Sequence, residues 1–275
     1  MTREGGAGPR WSVLVPFFNE RDFLPATLAS LAAQDRRARV ILIDNGSTDG
    51  CAAVAKATAE RLRMDYLLVT EVRAGKVHAL AAGLRWVDTP YVATCDADTW
   101  YPATYLAAAE AVLDAGHSIA GAFFVTDPAD VEAREKAARK MCTTARLLPG
   151  QCHTGGAGQA FRTAALRLAG GFDDRRWGWV LEDHEVIHRV MKHGSMGYAA
   201  DRWCAPSPRP RDRASIRWTL AERLLYSASA RHAGDWFFYR FLAPRLAARK
   251  LTSDRIRERR HQPERPVGAP AYLMC

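Results

Sequence analysis

Two carboxylates one residue apart, Asp96 and Asp98, follow the β-type run Tyr91-Val92-Ala93-Thr94 in a chain of formal net charge +9. Acids this close repel, and the repulsion raises a pKa unless a cation intervenes. A hard divalent ion relieves it and commonly keeps substrate phosphates in its shell. A third acid, Asp44, ends a second apolar run, Val40-Ile41-Leu42-Ile43. A further pair, Glu182-Asp183, opens a segment with Val186, Ile187 and Val190 apolar, where acids also suit a helical first turn. The same residues overlap an H-E-x-x-H pattern, His184 to His188, which places two histidines on one helical face for zinc. Met191 stands where the extended zinc motif has glycine, and an amphipathic helix accounts for the segment. Zinc hydrolysis is therefore the weaker alternative.

These acids need a scaffold that carries them to one place. Trp11-Ser12-Val13-Leu14-Val15-Pro16 reads as a buried strand that Pro16 ends. Asp22 to Gln34 has Leu24, Leu28 and Leu31 at helical spacing, with Asp22 as cap and Pro25 in the first turn. Asp44 to Gly50 is dense turn chemistry. An alanine-rich helix to about Arg63, a strand at Tyr66–Val69, a helix at Lys76–Val87, a strand at 91–95, a helix at 102–115 and a strand at 118–125 continue the alternation. Such alternation implies an α/β fold, a mostly parallel sheet flanked by helices, with ligands at the carboxyl ends of the strands. Asp44, Asp96 and Asp98 all lie just past strand ends.

The motifs Ser12-Val13-Leu14-Val15-Pro16-Phe17-Phe18-Asn19-Glu20, Ile43-Asp44-Asn45-Gly46-Ser47-Thr48-Asp49-Gly50 and Cys95-Asp96-Ala97-Asp98, in this order, strongly resemble the family 2 glycosyltransferases. The resemblance spans about residues 11 to 205. It implies the GT-A fold and inverting transfer of a sugar, a hexose in the simplest case, from a nucleotide-sugar. It places Pro16, Asn19 and Glu20 in the nucleotide pocket and Asp44 on the base, with a UDP-sugar favoured. Asp96, Ala97 and Asp98 match the DXD motif, Asp98 foremost as ligand to Mn²⁺ or Mg²⁺ and Asp96 beside it. Arg73-Ala74-Gly75-Lys76 stands where the family often has a glycine-rich loop with a lysine near the donor phosphates. Here Ala81 replaces the usual asparagine, and His78 takes a commonly small position. The glycine-rich stretch from His153 to Arg162 lacks phosphate-loop spacing. In the family a similar loop borders the acceptor, which implies roles for Gly155, Gly156 and Trp179. Trp177 to Glu185 resembles the ED motif, whose second acid is the catalytic base. Asp183 takes that role, with Glu182 second, because inversion needs a proton acceptor opposite the leaving nucleotide.

The resulting division is a flexible start at 1–10, a nucleotide-sugar half at 11–125, an acceptor and catalytic half at 126–205 of the same domain, and a basic, aromatic helical extension at 206–275. Residues 201–275 hold 16 Lys+Arg against 7 Asp+Glu, whereas the first 200 residues hold 23 of each. Arg217-Trp218 resembles the end of the QxxRW motif of processive polysaccharide synthases, with Ala214 at the glutamine position, and Trp218 could stack on a sugar. Asp235 to Leu242 packs five aromatics beside Arg231, Arg245, Arg249 and Lys250. That composition suits a helix on an anionic membrane surface, and equally a helix packed on the domain. The acceptor expected is a glycan, a lipid or a lipid-linked precursor of the cell envelope.

No apolar run nears the roughly 18 residues of a spanning helix, and MTREGGAGPR has no apolar core, so a cytoplasmic or peripheral membrane location is expected. The six cysteines show no metal or disulfide spacing and read as reduced thiols. Nucleic-acid binding without transfer is the nonenzymatic alternative, but no base-reading module is present. A dinucleotide oxidoreductase would need a glycine fingerprint after the first strand, and that fingerprint is absent.

Overall fold

The structure is a computed structural model, and it describes residues 8–208 and 218–254. Arg217 and the segments 1–7, 209–217 and 255–275 lie outside the described residues, so the Arg217 reading, the flexible start and the far tail are not addressed by it.

One sheet runs through the molecule. Its strands are β1 (Trp11–Phe17), β2 (Ala38–Asp44), β3 (Tyr66–Thr70), β4 (Tyr91–Thr94), β5 (Thr99–Trp100), β6 (Ile119–Phe124), β7 (Gln159–Arg162) and β8 (Met196–Pro206). The spatial order is β3-β2-β1-β4-β7-β6-β8-β5. The pairs β3-β2, β2-β1 and β1-β4 are parallel, β7 runs antiparallel between β4 and β6, and β6-β8 is parallel again. The helices are α1 (Leu24–Ala32), α2 (Cys51–Arg61), α3 (Lys76–Leu84), α4 (Tyr105–Asp114), α5 (Val131–Leu147), α6 (Thr163–Leu168), α7 (Glu182–Val190), α8 (Leu220–Ser229) and α9 (Ala243–Ala248).

Strand alternation decides which face each residue covers. Trp11, Val13, Val15 and Phe17 pack on one side with Leu24, Leu28, Ala55 and Leu106. Leu14 faces the other side, with Ile41, Ile43, Leu80, Val186 and Ile187. Both faces are thus buried, as a sheet with helical crossovers requires. Two local expectations change. Pro16 lies inside β1 rather than ending it. The Leu14 carbonyl accepts from Cys95 N–H of the β4 side, so the missing Pro16 N–H also faces β4. Paired β4 residues stop at Thr94, opposite Leu14, and no ladder bond is lost. Helix α1 enters at Phe23, without a side-chain cap, rather than at Asp22; Pro25 does sit in its first turn.

A third core joins the C-terminal elements to the body. Trp177 and Val180 pack with Tyr226, Phe237, Phe238, Leu242 and Leu246. Residues Trp236–Leu242 form a π-helical turn. Its Phe237 and Phe238 are fully buried, and Tyr239 donates its hydroxyl to Glu185 at 2.5 Å. Those rings are core and cannot insert into a bilayer; Trp236 is the half-exposed member of the run. Among the described residues no helix is long and apolar enough to cross a membrane, and five free cysteines are present.

Candidate active site

Parallel register puts the exits of β1, β2, β3 and β4 on one rim, since Phe17, Asp44 and Thr70 align and Leu14 aligns with Thr94. The rim loops are tied to one another. Ser47 N–H donates to Asp44 Oδ1 at 2.9 Å, which makes the turn after β2. Asn19, at φ 55, donates its N–H to Ser47 Oγ and accepts from Thr48 N–H, so the β1 exit is clipped to that turn. The Glu20 carbonyl accepts from Phe23 and Leu24 N–H and launches α1. Asp49 accepts from Arg21 and Cys51 N–H and is a turn former.

Asn45 is the clamp. Its side-chain amide donates to the Glu71 and Arg73 carbonyls at 2.8 and 2.7 Å and accepts from Gly75 N–H at 3.1 Å. A buried amide with all three bonds made fixes the loop before α3. Gly75 takes φ 125, a conformation that glycine tolerates and other residues avoid. Arg73 turns back on Glu71 at 3.0 Å, and that hydrogen bond holds the Glu71 carboxyl down to about 2. The Arg73 guanidinium is therefore engaged at the loop itself.

Lys76, the first residue of α3, reaches Asp96 Oδ1 at 2.5 Å. Burial alone would lower its pKa, but the charges of Asp96, Glu182 and Asp183 raise it. Asp96 N–H donates to the Tyr101 hydroxyl at 2.8 Å. Ala97 is buried, and its carbonyl accepts from Thr27. Asp98 is buried; its Oδ2 accepts from the Ser207 hydroxyl at 3.2 Å and its Oδ1 from Thr99 at 3.4 Å. The acid pair is thus split: Asp96 faces the lysine and Asp98 faces β8.

Glu182 and Asp183 come from the opposite half of the sequence. Leu181, at φ 65, turns the chain into α7, and both acids fall in its first turn, where the helix dipole favours negative charge. Asp183 Oδ1 accepts from His184 N–H at 2.9 Å, and its carbonyl is held by the buried Gln159 amide at 3.0 Å. Burial, with the Asp183 charge added, pushes the Glu182 carboxyl up to about 7 although Lys76 opposes it. The glycine loop closes the arrangement. A methyl on Gly156 would lie 3.0 Å from Lys76 Nζ and 3.6 Å from Asp183 Cβ, and one on Gly155 would lie 3.7 Å from Asp183 Oδ2. Thr94 Oγ1, at the end of β4, donates to the Gly156 carbonyl at 2.6 Å and holds the loop there.

Lys76, Asp96, Gly156, Glu182 and Asp183 therefore form one charged cluster. Gly155 and Trp218 line an adjoining cleft of about 340 Å³. Trp179 makes a β-bridge to Thr252, while the flanking Val180 and Gly178 bond to Leu251 and Ser253, and it packs against the same C-terminal core as Trp218. The two histidines of the H-E-x-x-H segment also separate by their contacts. His184 sits edge-on to Trp218 and Tyr226, whereas His188 stacks on Phe238 and bonds to Asp235 at 2.8 Å. Sequence reading missed four supports: Asn45 as clamp, Gln159, Thr94 and Arg202. Arg202 is fully buried on β8 and donates to the Ala120 and Gly158 carbonyls. A polar residue inside an apolar strand was the available signal for Gln159 and Arg202.

Asp96 and Asp98 carry the oxygen donors that a hard divalent ion takes, with Asp96 paired to Lys76 and Asp98 bonded to Ser207. Among the described residues no group of three or more His, Cys, Asp or Glu is arranged to hold a metal. Asp98 and Asp96 offer oxygen ligands alone. Two carboxylates suit an ion that completes its shell with diphosphate and water.

Residues 12–166 match the profile of Glycosyl transferase family 2. An uncharacterized glycosyltransferase of Mycobacterium tuberculosis is 38% identical over 110 residues, 40% of this chain and 46% of the relative. An undecaprenyl-phosphate 4-deoxy-4-formamido-L-arabinose transferase of Klebsiella pneumoniae is 32% identical over 115 residues, 40% of this chain and 35% of the relative. The chain thus spans less than half the length of these curated relatives. A mannosyltransferase of Pyrobaculum calidifontis, solved with GDP-Man and Mn²⁺, superposes with TM-score 0.63 at 24% identity over 88% of this chain and 74% of that one. The architecture is that of the GT-A glycosyltransferases, and the family match covers more than half of the sequence. This chain belongs to glycosyl transferase family 2.

Proposed function

We propose that the protein is an inverting transferase that moves a sugar from a nucleoside-diphosphate sugar to an acceptor hydroxyl, with Asp183 as general base. One observation carries the reading: the Gly156 backbone lies between the Asp183 side chain and the Lys76 ammonium, which pairs with Asp96. A carboxylate and an ammonium so placed serve opposite ends of one displacement. Asp183 accepts the acceptor's proton as its oxygen attacks the anomeric carbon. The bond from that carbon to the phosphate oxygen breaks, and the electron pair leaves with the nucleoside diphosphate. Lys76, preset by Asp96, meets the negative charge that develops there. Gln159 holds the Asp183 backbone carbonyl, and His184 N–H holds its Oδ1. Asp98, with Asp96, would hold Mn²⁺ or Mg²⁺, which when bound neutralises the diphosphate.

On the donor side, Pro16, Asn19, Glu20 and Asp44 frame the nucleotide, and Arg73 and Lys76 border its phosphates. Family resemblance favours uridine, and the GDP-Man held by the Pyrobaculum neighbour keeps guanosine in view. Gly155, Gly156 and Trp218 border the acceptor. The undecaprenyl-phosphate transferase among the relatives supports a lipid-linked acceptor and work at the inner membrane face. The test is calorimetry of UDP- and GDP-sugars with and without Mn²⁺. Metal-strengthened binding of at least one is expected. Absence of binding to every activated sugar under all metal conditions would remove the proposal.

A further inference from the structure

The cleft beside Asp183 has a chemical bias of its own. It is lined by the loop Gln151–Gly155, by His184 of α7, by Trp218 and by Arg223, Tyr226 and Ser227 of α8. It begins at Gly155, next to Asp183 Oδ2, and runs away from Lys76 towards α8.

Most polar groups in this wall are already committed. Gln151 donates its amide to the Ser227 carbonyl at 3.0 Å, Cys152 N–H donates to the Tyr226 hydroxyl at 3.0 Å, and the Thr154 hydroxyl donates to the Ala122 carbonyl. Two groups are not. His184 Nδ1 is buried and has no hydrogen-bond partner among the described residues. The Arg223 guanidinium makes no ion pair among the described residues and lines the same cleft as His184, whose pKa burial lowers, so that ring faces the cleft as a neutral imidazole. Among the described residues no carboxylate lines the cleft, and Asp183 stands at its Gly155 end. Away from its Asp183 end the cleft offers uncommitted donors, a poor match for a neutral sugar, which needs acceptors as well as donors. They match an oxyanion, and a guanidinium is well shaped for phosphate.

We propose that this cleft selects an acceptor bearing a phosphate ester, whose hydroxyl lies at Asp183 while its phosphate sits between His184 and Arg223. The proposal rests on Asp183 being the general base. The Trp218 ring, 5.2 Å from the His184 ring, forms the apolar wall. The phosphate can come from a soluble phosphorylated compound or from a lipid headgroup. The lipid source enters because Leu220 and Leu224, which flank Arg223 on α8, are 73% and 64% exposed.

The experiment uses the full chain with Mn²⁺ and the best nucleotide-sugar from the calorimetric screen. Glycerol, glycerol 3-phosphate, and phosphatidylinositol or phosphatidylcholine vesicles are each offered to wild type, Arg223→Gln and His184→Gln. Inorganic phosphate serves as competitor. Expected are binding of glycerol 3-phosphate or phosphatidylinositol well above glycerol and competition by phosphate. Arg223→Gln should weaken that binding about tenfold, the loss of one hydrogen bond to a charged group, with nucleotide-sugar affinity unchanged. Preference for the soluble ester assigns a metabolite, and preference for phosphatidylinositol over phosphatidylcholine assigns a lipid headgroup. Glycerol binding as well as its phosphate, or an Arg223→Gln protein with unaltered phosphate affinity, overturns the inference. Arg223 is exposed, so its variant keeps the test valid should His184→Gln fail to fold. Loss of nucleotide-sugar binding in the wild type would instead condemn the underlying transferase reading.

Discussion

The two sides of the site are built in different ways. The proposed donor side consists of consecutive strand exits: Asn19 after β1, Asp44 and Asn45 after β2, Arg73 to Lys76 after β3, and Asp96 after β4. Backbone pairing aligns these exits, and short side-chain clips such as Asn45 to Gly75 finish the work. The proposed acceptor side has no such ladder. Asp183, His184 and Trp218 are placed by side-chain packing among α7, α8 and the π-helical turn. A rim made by backbone register should survive loss of a side chain. A wall made by interlocked rings should not.

The largest expected effect separates chemistry from binding. Asp183→Asn removes the proposed base while keeping a side chain that can accept from His184 N–H. Transfer should fall by about 10²–10⁴-fold, the usual scale for general-base loss, and nucleotide-sugar affinity should hold. Steady-state rates and donor calorimetry on the same preparation check both halves. Full transfer in this variant would take Asp183 out of the mechanism.

Phe238→Ala tests the packed side directly. Phe238 has no exposed surface; it meets Trp177 edge-on at 5.6 Å and stacks on His188 at 5.1 Å. Truncation of a buried phenyl costs about 3–5 kcal/mol, so Tm should drop by about 10 °C. At a temperature where the variant remains folded, acceptor KM should rise and donor Kd should stay. Equal damage to both would show that the two sides form one cooperative unit.

Lys76→Met probes the seam. The variant leaves Asp96, Glu182 and Asp183 without the ammonium between them. The pair is about one-third exposed, so its loss should cost about 1–3 kcal/mol, between surface and buried ion pairs. Donor affinity should weaken about tenfold, a loss of about 1.4 kcal/mol, with the greater share on the diphosphate than on the nucleoside. Calorimetry with UDP against uridine reads that split.

The same contrast explains what the sequence disclosed. Short continuous apolar runs, and acids or glycines at their ends, announce β1 to β4 and their rim because strand, turn and ligand chemistry are all local. Asn45 looked like one more turn residue, since nothing in Asp44-Asn45-Gly46 shows that its amide spans to a loop nearly thirty positions later. Trp179 and Trp218 were equally plausible at the acceptor. The pairing of Gly178–Val180 with Leu251–Ser253 ties the Trp179 backbone to the C-terminal segment, a contact that crosses about seventy residues. The aromatic run at Trp236–Leu242 has a composition that suits both a bilayer and a core. The choice was made by Trp177, Val180 and Tyr226, which no local pattern links to it.

Glu182 offers the smallest and most discriminating effect. Its carboxyl is pushed up to about 7 by burial first and by Asp183 second, against Lys76, with Asp96 adding a further negative charge. An acid raised in the folded state contributes its full stability below its unfolded pKa, near 4.5, and loses it as pH rises towards 7. Glutamine has no proton to lose. In metal- and donor-free protein, Glu182→Gln should therefore gain on wild type from about pH 4.5 to 7 and hold a constant advantage above that. Glu182 keeps some solvent access, which limits the gain to about 1 kcal/mol, or about 2–4 °C in Tm. Thermal melts across that range give the answer. A pH-independent difference would mean that Glu182 ionises normally, and the charge cluster would then lie more open to water than its packing between Lys76 and α7 implies.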